Sequence, residues 1–149
     1  MNHRAILLVE DNADDAALTL RAFNRSNIGG EVVVVHDGAE ALDYLLGSGK
    51  FADVDVKAVL AVVLLDLKLP KVDGLEVLRR LRSDGRTRLL PVVIVTSSKE
   101  ERDIVSGYKL GANSYVRKPV DSAEFAEAMR HLGHYWLSVN EAAPGGGSA

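Results

Sequence analysis

The chain has 149 residues, 47% hydrophobic and 26% charged, with 13 Gly and 4 Pro, which fits one globular domain with a sizeable core and leaves no comfortable room for two. A net charge of −3 with scattered basic residues gives no electrostatic grip on nucleic acid or anionic lipid, so neither is expected as a partner. The absence of cysteine excludes disulfides, thiolate metal sites and thiol nucleophiles, and no apolar run approaches the ~18 residues of a membrane span, so a cytoplasmic setting is expected.

Ala5–Val9 reads as a short strand, too brief and too quickly followed by acids for a signal sequence. Glu10-Asp11-Asn12 follows, then a stretch with Ala16, Leu20 and Phe23 at the spacing of one helical face. Glu31–His36 is a second, β-branched strand, and Gly38 precedes a helix whose Leu42, Leu45 and Leu46 would face the sheet. Gly47–Lys57 is polar and long for such a connection, so a surface loop is expected there.

Val59–Leu65 is apolar without interruption and ends at Asp66. A run apolar on both faces reads as a strand buried inside a parallel sheet. The turn Lys68–Gly74 leads to a helix with Leu75, Leu78 and Leu81 at helical spacing. Pro91 opens a fourth strand, Val92–Val95, ending at Thr96-Ser97-Ser98; Lys99–Leu110 is a helix with apolar Ile104, Val105 and Tyr108, and Gly111 is its stop.

Asn113–Val116 is a short fifth strand, Lys118-Pro119 a turn, and Asp121 or Ser122 the N-cap of a last helix with Phe125, Met129, Leu132 and Trp136 on one stripe. Phe125, Ala128, Met129, Leu132, Tyr135, Trp136 and Val139 would share an arc of about 120°, with Leu137 outside it. The alternation of strands and helices predicts an α/β, doubly wound, five-stranded parallel sheet with helices on both faces. Residues 1–140 form the domain, and 141–149, rich in glycine, are expected to be a disordered tail.

Open α/β sheets place their ligands at the carboxyl ends of the strands. Glu10 and Asp11 follow the first strand and Asp66 ends the third, so three carboxylates converge if those strands are neighbours. Crowded carboxylates repel and call for a cation; an all-oxygen set without His or Cys suits Mg²⁺, octahedral at about 2.0–2.1 Å, better than Zn²⁺. Thr96 and Lys118 bring a hydroxyl and an ammonium to the same edge, a combination that suits a phosphoryl group.

Glu10-Asp11, Asp66, Thr96 and Lys118-Pro119, with Tyr115 three residues before the lysine, resemble a bacterial response-regulator receiver domain of the chemotaxis-regulator-like kind over about residues 5–137. The resemblance implies a flavodoxin-like strand order 2-1-3-4-5. It implies that Asp66 accepts a phosphoryl group from a sensor histidine kinase, in a switch that catalyses only its own phosphorylation and dephosphorylation. Glu10, Asp11, Asp66 and the backbone carbonyl of Lys68 would hold Mg²⁺, Lys118 would pair with the phosphoryl oxygens, and Thr96 would donate its hydroxyl to one of them. Thr96 moving toward the phosphoryl group while Tyr115 turns inward would be the switch, and a cis Lys118–Pro119 bond would aim the ammonium.

Glu10 departs from the more frequent aspartate at its position. Lys68 and Ser98 fall where the family varies the residues that tune phosphate lifetime. The Glu-Asp-Asn opening and the end Gly133–Leu137 resemble phytochrome-associated single-domain members, which implies a phytochrome as the kinase. Tyr135, Trp136 and Leu137, clustered near the end, suggest a homodimer through the last two helices and the fifth strand.

Other readings fit less of the chain. A phosphorylation-independent docking or scaffold domain with the same fold would not need the full set of site residues. An aspartyl phosphatase usually needs a second acid where Lys68 stands, and acids after the first strand would repel the pyrophosphate of a flavin or dinucleotide. His131 and His134, spaced as a metal pair, lack a third ligand and read as ordinary surface or core residues, while His3 and His36 carry no signal.

Overall fold

The computed structural model describes residues 4–26, 30–49 and 60–143. Strands β1 (Ala5–Val9), β2 (Glu31–Val35), β3 (Leu60–Leu65), β4 (Val92–Thr96) and β5 (Ser114–Arg117) form one parallel sheet in the order β2-β1-β3-β4-β5. Helices α1 (Ala13–Ser26), α2 (Gly38–Leu46), α3 (Gly74–Ser83), α4 (Glu101–Lys109) and α5 (Ser122–His134) alternate with them. This is the doubly wound, flavodoxin-like sheet that the alternation predicts. The chain leaves β1 for β2 on one side and reaches β3 on the other, so the switch point lies between β1 and β3, where Glu10, Asp11 and Asp66 emerge.

Every residue of β1, β3 and β4 is buried, as continuous apolar runs require. Successive side chains alternate between two layers. Leu7, Val9, Val63, Leu65 and Ile94 meet Leu42 and Leu45 of α2 and Val77, Leu78 and Leu81 of α3. Ile6, Leu8, Val62, Leu64, Val93 and Val95 meet Ala16 and Phe23 of α1 and Phe125 and Met129 of α5. Each such aliphatic side chain contributes about 1.5–3 kcal/mol on burial, which makes the strand ends rigid supports for what they carry.

Asp37, Asp73 and Asp121 cap α2, α3 and α5 by accepting backbone N–H groups, each worth about 1 kcal/mol. Gly38 and Gly74 start their helices against backbone: a Cβ on Gly38 would lie 1.8 Å from the Val72 carbonyl oxygen. Arg82, at the end of α3, donates to the carbonyl oxygens of Thr87, Arg88, Leu90 and Gly111 and to Asn113 Oδ1. Asn113 Oδ1 also takes the Val92 N–H at 2.8 Å. β5 itself runs from Ser114 to Arg117, one residue later at each end than the sequence pattern predicts.

Two amphipathic expectations change. Val105 and Tyr108 of α4 are each 51% exposed. The residue that meets the sheet is Gly107, on which a Cβ would lie 2.7 Å from Ile94 Cδ1 and 3.5 Å from the Tyr115 ring. The absence of a side chain lets α4 approach closely, and the flanking apolar residues turn outward. Gly111 is the expected stop, with φ 103°.

After α5 the chain continues as a π-helical turn, Tyr135–Val139. The wider turn changes the angle between successive side chains. Trp136 stays buried, but Tyr135 and Val139 are 45% and 58% exposed, while Leu137, outside the expected stripe, packs inward toward Gly30. Gly47 ends α2 in the left-handed conformation at φ 68°; the rest of the expected loop from residue 50 to 57, and residues 144–149 of the expected tail, lie outside the described residues. Among the described residues no helix is long and apolar enough to cross a membrane.

Candidate phosphoacceptor and metal site

Parallel pairing of β1 with β3 carries three acids to one place. Val9 lies beside Leu65 in the register, and the Asp66 N–H donates to the Val9 carbonyl at 3.2 Å. The carboxylate oxygens of Glu10, Asp11 and Asp66 lie within 4.8 Å of one another. Glu10 and Asp66 are buried at 4% and 7% exposure, while Asp11 is exposed. Such a hard-oxygen set, part buried and part open to water, has the donor chemistry that Mg²⁺ takes.

Lys118 is the cation present. Its backbone N–H donates to the Thr96 carbonyl at 2.7 Å, which fixes where its stem leaves β5. Its Nζ donates to Glu10 Oε1 at 2.7 Å, Asp15 Oδ2 at 2.8 Å and Asp66 Oδ2 at 2.9 Å. The other oxygens of Asp66 and Glu10 are met by backbone: Lys68 N–H donates to Asp66 Oδ1 at 3.2 Å and Asn12 N–H to Glu10 Oε2 at 3.1 Å. No buried side-chain N or O among the described residues lacks a partner.

Burial and the neighbouring Asp66 charge push the Glu10 carboxyl up to about 7, against the lowering effect of Lys118. Burial alone would lower the Lys118 ammonium, but its bonds to Asp15, Glu10 and Asp66 outweigh this and hold it above the ordinary lysine value. Lysine is therefore charged, and the site is short of positive charge. With four acids against one lysine, either a proton on Glu10 or a divalent cation among the acids would offset the excess negative charge.

A second group adjoins the first. Thr96 is fully buried, and its Oγ1 accepts the Ser98 N–H at 3.4 Å. Ser98 Oγ donates to Asp103 Oδ2 of α4 at 2.5 Å, and the Tyr115 hydroxyl donates to the Ser98 carbonyl at 3.0 Å. Tyr115 thus lies half-buried across the connection between β4 and α4. Burial raises its phenol pKa, with the Ser98 bond acting the other way.

Of the residues expected from sequence, Glu10 and Asp66 bond Lys118 directly, and Asp11 brings its carboxylate to within 4.8 Å of theirs. Thr96 joins them through the backbone of Lys118, and Ser98 and Tyr115 form the adjoining group. The Lys68 side chain is exposed, so only its backbone touches Asp66. One expectation is corrected: all described peptide bonds are trans, Lys118–Pro119 included. The ammonium is aimed instead by its three carboxylates and the Thr96 bond. Asp15 was missed by sequence reasoning; its signal was its spacing of four residues from Asp11 at the start of α1. His131 meets Glu127 at 3.0 Å on the surface, without further ligands among the described residues.

Residues 6–130 match the family profile described as the response regulator receiver domain. The solved structure of the bacteriophytochrome response regulator RtBRR is 51% identical in sequence, with TM-score 0.74 over 97% of this chain and 86% of that one. The phosphorylated cyanobacterial phytochrome response regulator RcpA is 37% identical, with TM-score 0.87 over 94% of this chain and 98% of that one. The Mn²⁺-bound form of the response regulator Rcp1, from Synechocystis, is 30% identical, with TM-score 0.87 over 94% and 99%.

Proposed function

The chain belongs to the response regulator receiver domain family, and from that premise we propose that Asp66 accepts a phosphoryl group from a phosphohistidine on a sensor histidine kinase. The observation that carries this reading is Asp66 itself, a buried carboxylate held at 2.9 Å from Lys118 inside a three-acid cluster. A carboxylate oxygen of Asp66 attacks phosphorus; the O–P bond forms as the P–N bond breaks, and the electron pair returns to the imidazole nitrogen. Glu10, Asp11, Asp66 and the Lys68 backbone carbonyl would hold Mg²⁺, which when bound supplies positive charge against the donor phosphate.

Lys118 pairs with the transferred oxygens, and the Thr96 hydroxyl, whose oxygen accepts the Ser98 N–H, donates its own hydrogen to a phosphoryl oxygen. Because Ser98 also holds Tyr115 and Asp103, a shift of Thr96 reaches the surface of α4 and β5. The protein acts as a switch, turning over only its own acyl phosphate. Lys68 and Ser98 tune the lifetime of that phosphate. Intact mass after acetyl phosphate and Mg²⁺ tests the reading: one phosphoryl group is expected, lost in Asp66→Asn, and decay of the label in Lys68→Ala against the unsubstituted chain reads the tuning role. No label at Asp66 would leave the docking-domain reading in its place.

A cytoplasmic phytochrome-type kinase is the partner this reading favours, because RcpA and RtBRR are described as phytochrome response regulators. A homodimer through the last helices and β5 belongs to the same reading. Val105 and Tyr108 on α4, and Tyr135 and Val139 on the π-helical turn, are apolar surface available to it. Sedimentation velocity should give a dimer at micromolar concentration; monomer alone, with and without acetyl phosphate, would exclude it.

A further inference from the structure

We propose that Asp15 is a positioning residue for Lys118, fixing the ammonium so that one of its hydrogens faces the phosphoacceptor oxygen; this rests on the reading of Asp66 given above. A lysine ammonium has three hydrogens, and here each has its own carboxylate: Glu10 at 2.7 Å, Asp15 at 2.8 Å and Asp66 at 2.9 Å. The bond to Asp66 Oδ2 is the one that passes to a transferred oxygen. The other two decide whether the ammonium stays in place while that happens.

Glu10 and Asp15 differ in what else claims them. Glu10 shares the three-acid cluster with Asp11 and Asp66, so a cation bound there draws on the same carboxylate that holds Lys118. Asp15 lies outside that cluster. It is the tether that survives. A lysine side chain is a flexible four-carbon stem, and with Glu10 engaged elsewhere, Asp15 remains as its side-chain anchor.

Asp15 is itself well fixed. Its N–H donates to Asn12 Oδ1 at 2.9 Å and its carbonyl accepts from Thr19 Oγ1 at 2.9 Å. Its carboxylate is only 28% exposed where it meets Lys118. An acid in the first turn of a helix also favours the helix dipole, but that role needs no particular neighbour. Asp14, exposed in the same turn, fills it equally.

The test uses the full chain with acetyl phosphate and Mg²⁺, following phosphoryl incorporation by intact mass against donor concentration, with circular dichroism to verify folding. Asp15→Ala should lower the maximum rate about tenfold while moving the half-saturating donor concentration less than about twofold. Asp15→Asn keeps an acceptor oxygen and should recover most of the rate, and Asp14→Ala should match the unsubstituted chain. A rate in Asp15→Ala equal to or above that of the unsubstituted chain overturns the proposal, as does Asp15→Asn being as slow as Asp15→Ala, which would make charge rather than position the determinant. If Asp15→Ala does not fold, Asp15→Asn and Asp15→Ser, both with acceptor oxygens, must both retain the rate, and loss in both overturns it. Failure of the unsubstituted chain to label would overturn the Asp66 reading and this proposal together; labelling that is indifferent to Asp15 removes only the latter.

Discussion

Lys118→Ala should destabilise the divalent-free protein by about 3–5 kcal/mol near pH 8 and slow phosphoryl incorporation about a hundredfold. The lysine is the cation shared by Glu10, Asp15 and Asp66. Removing it leaves two buried carboxylates, each with one backbone N–H and, among the described residues, no opposite charge. The loss should shrink as pH falls, and the sign follows from Glu10. Its folded pKa, near 7, stands above its ordinary value of 4.5, so its neutral form favours the folded state. That contribution is fully present below about 4.5 and is lost as pH rises through about 7. Without Lys118 the opposing pull is gone and the penalty at high pH grows.

Mg²⁺ should restore much of the lost stability, because it would bring positive charge to Glu10 and Asp66, the two buried acids that Lys118 holds. Urea midpoints read from Trp136 fluorescence at pH 5.5 and 8, with EDTA or with Mg²⁺, provide the measurement. A loss independent of both pH and Mg²⁺ would mean that Lys118 contributes by packing alone.

Gly74→Ala should cost about 3 kcal/mol and reduce incorporation about a hundredfold. A Cβ there would stand 2.2 Å from the Asp66 carbonyl oxygen and 2.7 Å from Leu67 Cα. Both are backbone atoms directly behind the Asp66 carboxylate and cannot rotate aside. The Gly74 N–H also donates to the Leu67 carbonyl at 2.9 Å, so α3 and the end of β3 are fastened at the point of the clash. Either α3 retreats or Asp66 moves. Gly85→Ala, with nothing within 4 Å of the added carbon, is the control and should leave both stability and incorporation nearly unchanged. Equal behaviour of the two variants would show that the chain absorbs the contact elsewhere.

Asp66 was legible from sequence because a run apolar on both faces has one place to go, and an acid at its end has one direction to face. Glu10, Asp11 and Thr96 were legible for the same reason, each standing at the end of such a run, and Lys118 by its place after the short fifth strand beside Pro119. Asp15 was not, because an acid in the first turn of a helix is already accounted for by the helix dipole. The outward face of α4 was hidden because Gly107 carries no weight in an apolar periodicity, yet is the residue in contact with Ile94. The exchange of Leu137 for Tyr135 and Val139 was hidden because a stripe assumes constant backbone spacing, and the π-helical turn breaks it.

The arginine at the end of α3 gives the sheet two unlike ends. At the amino ends of β4 and β5, the Arg82 guanidinium is gripped by carbonyl oxygens and one amide, none of which gains or loses a proton in water. At the carboxyl ends, Lys118 is gripped by three carboxylates, which ionise. If Asp66 takes up a phosphoryl group as proposed, the anchorage at the other end has no group that answers to the new charge, and the connection holding Ser98 and the start of α4 at Asp103 should move before the strands do.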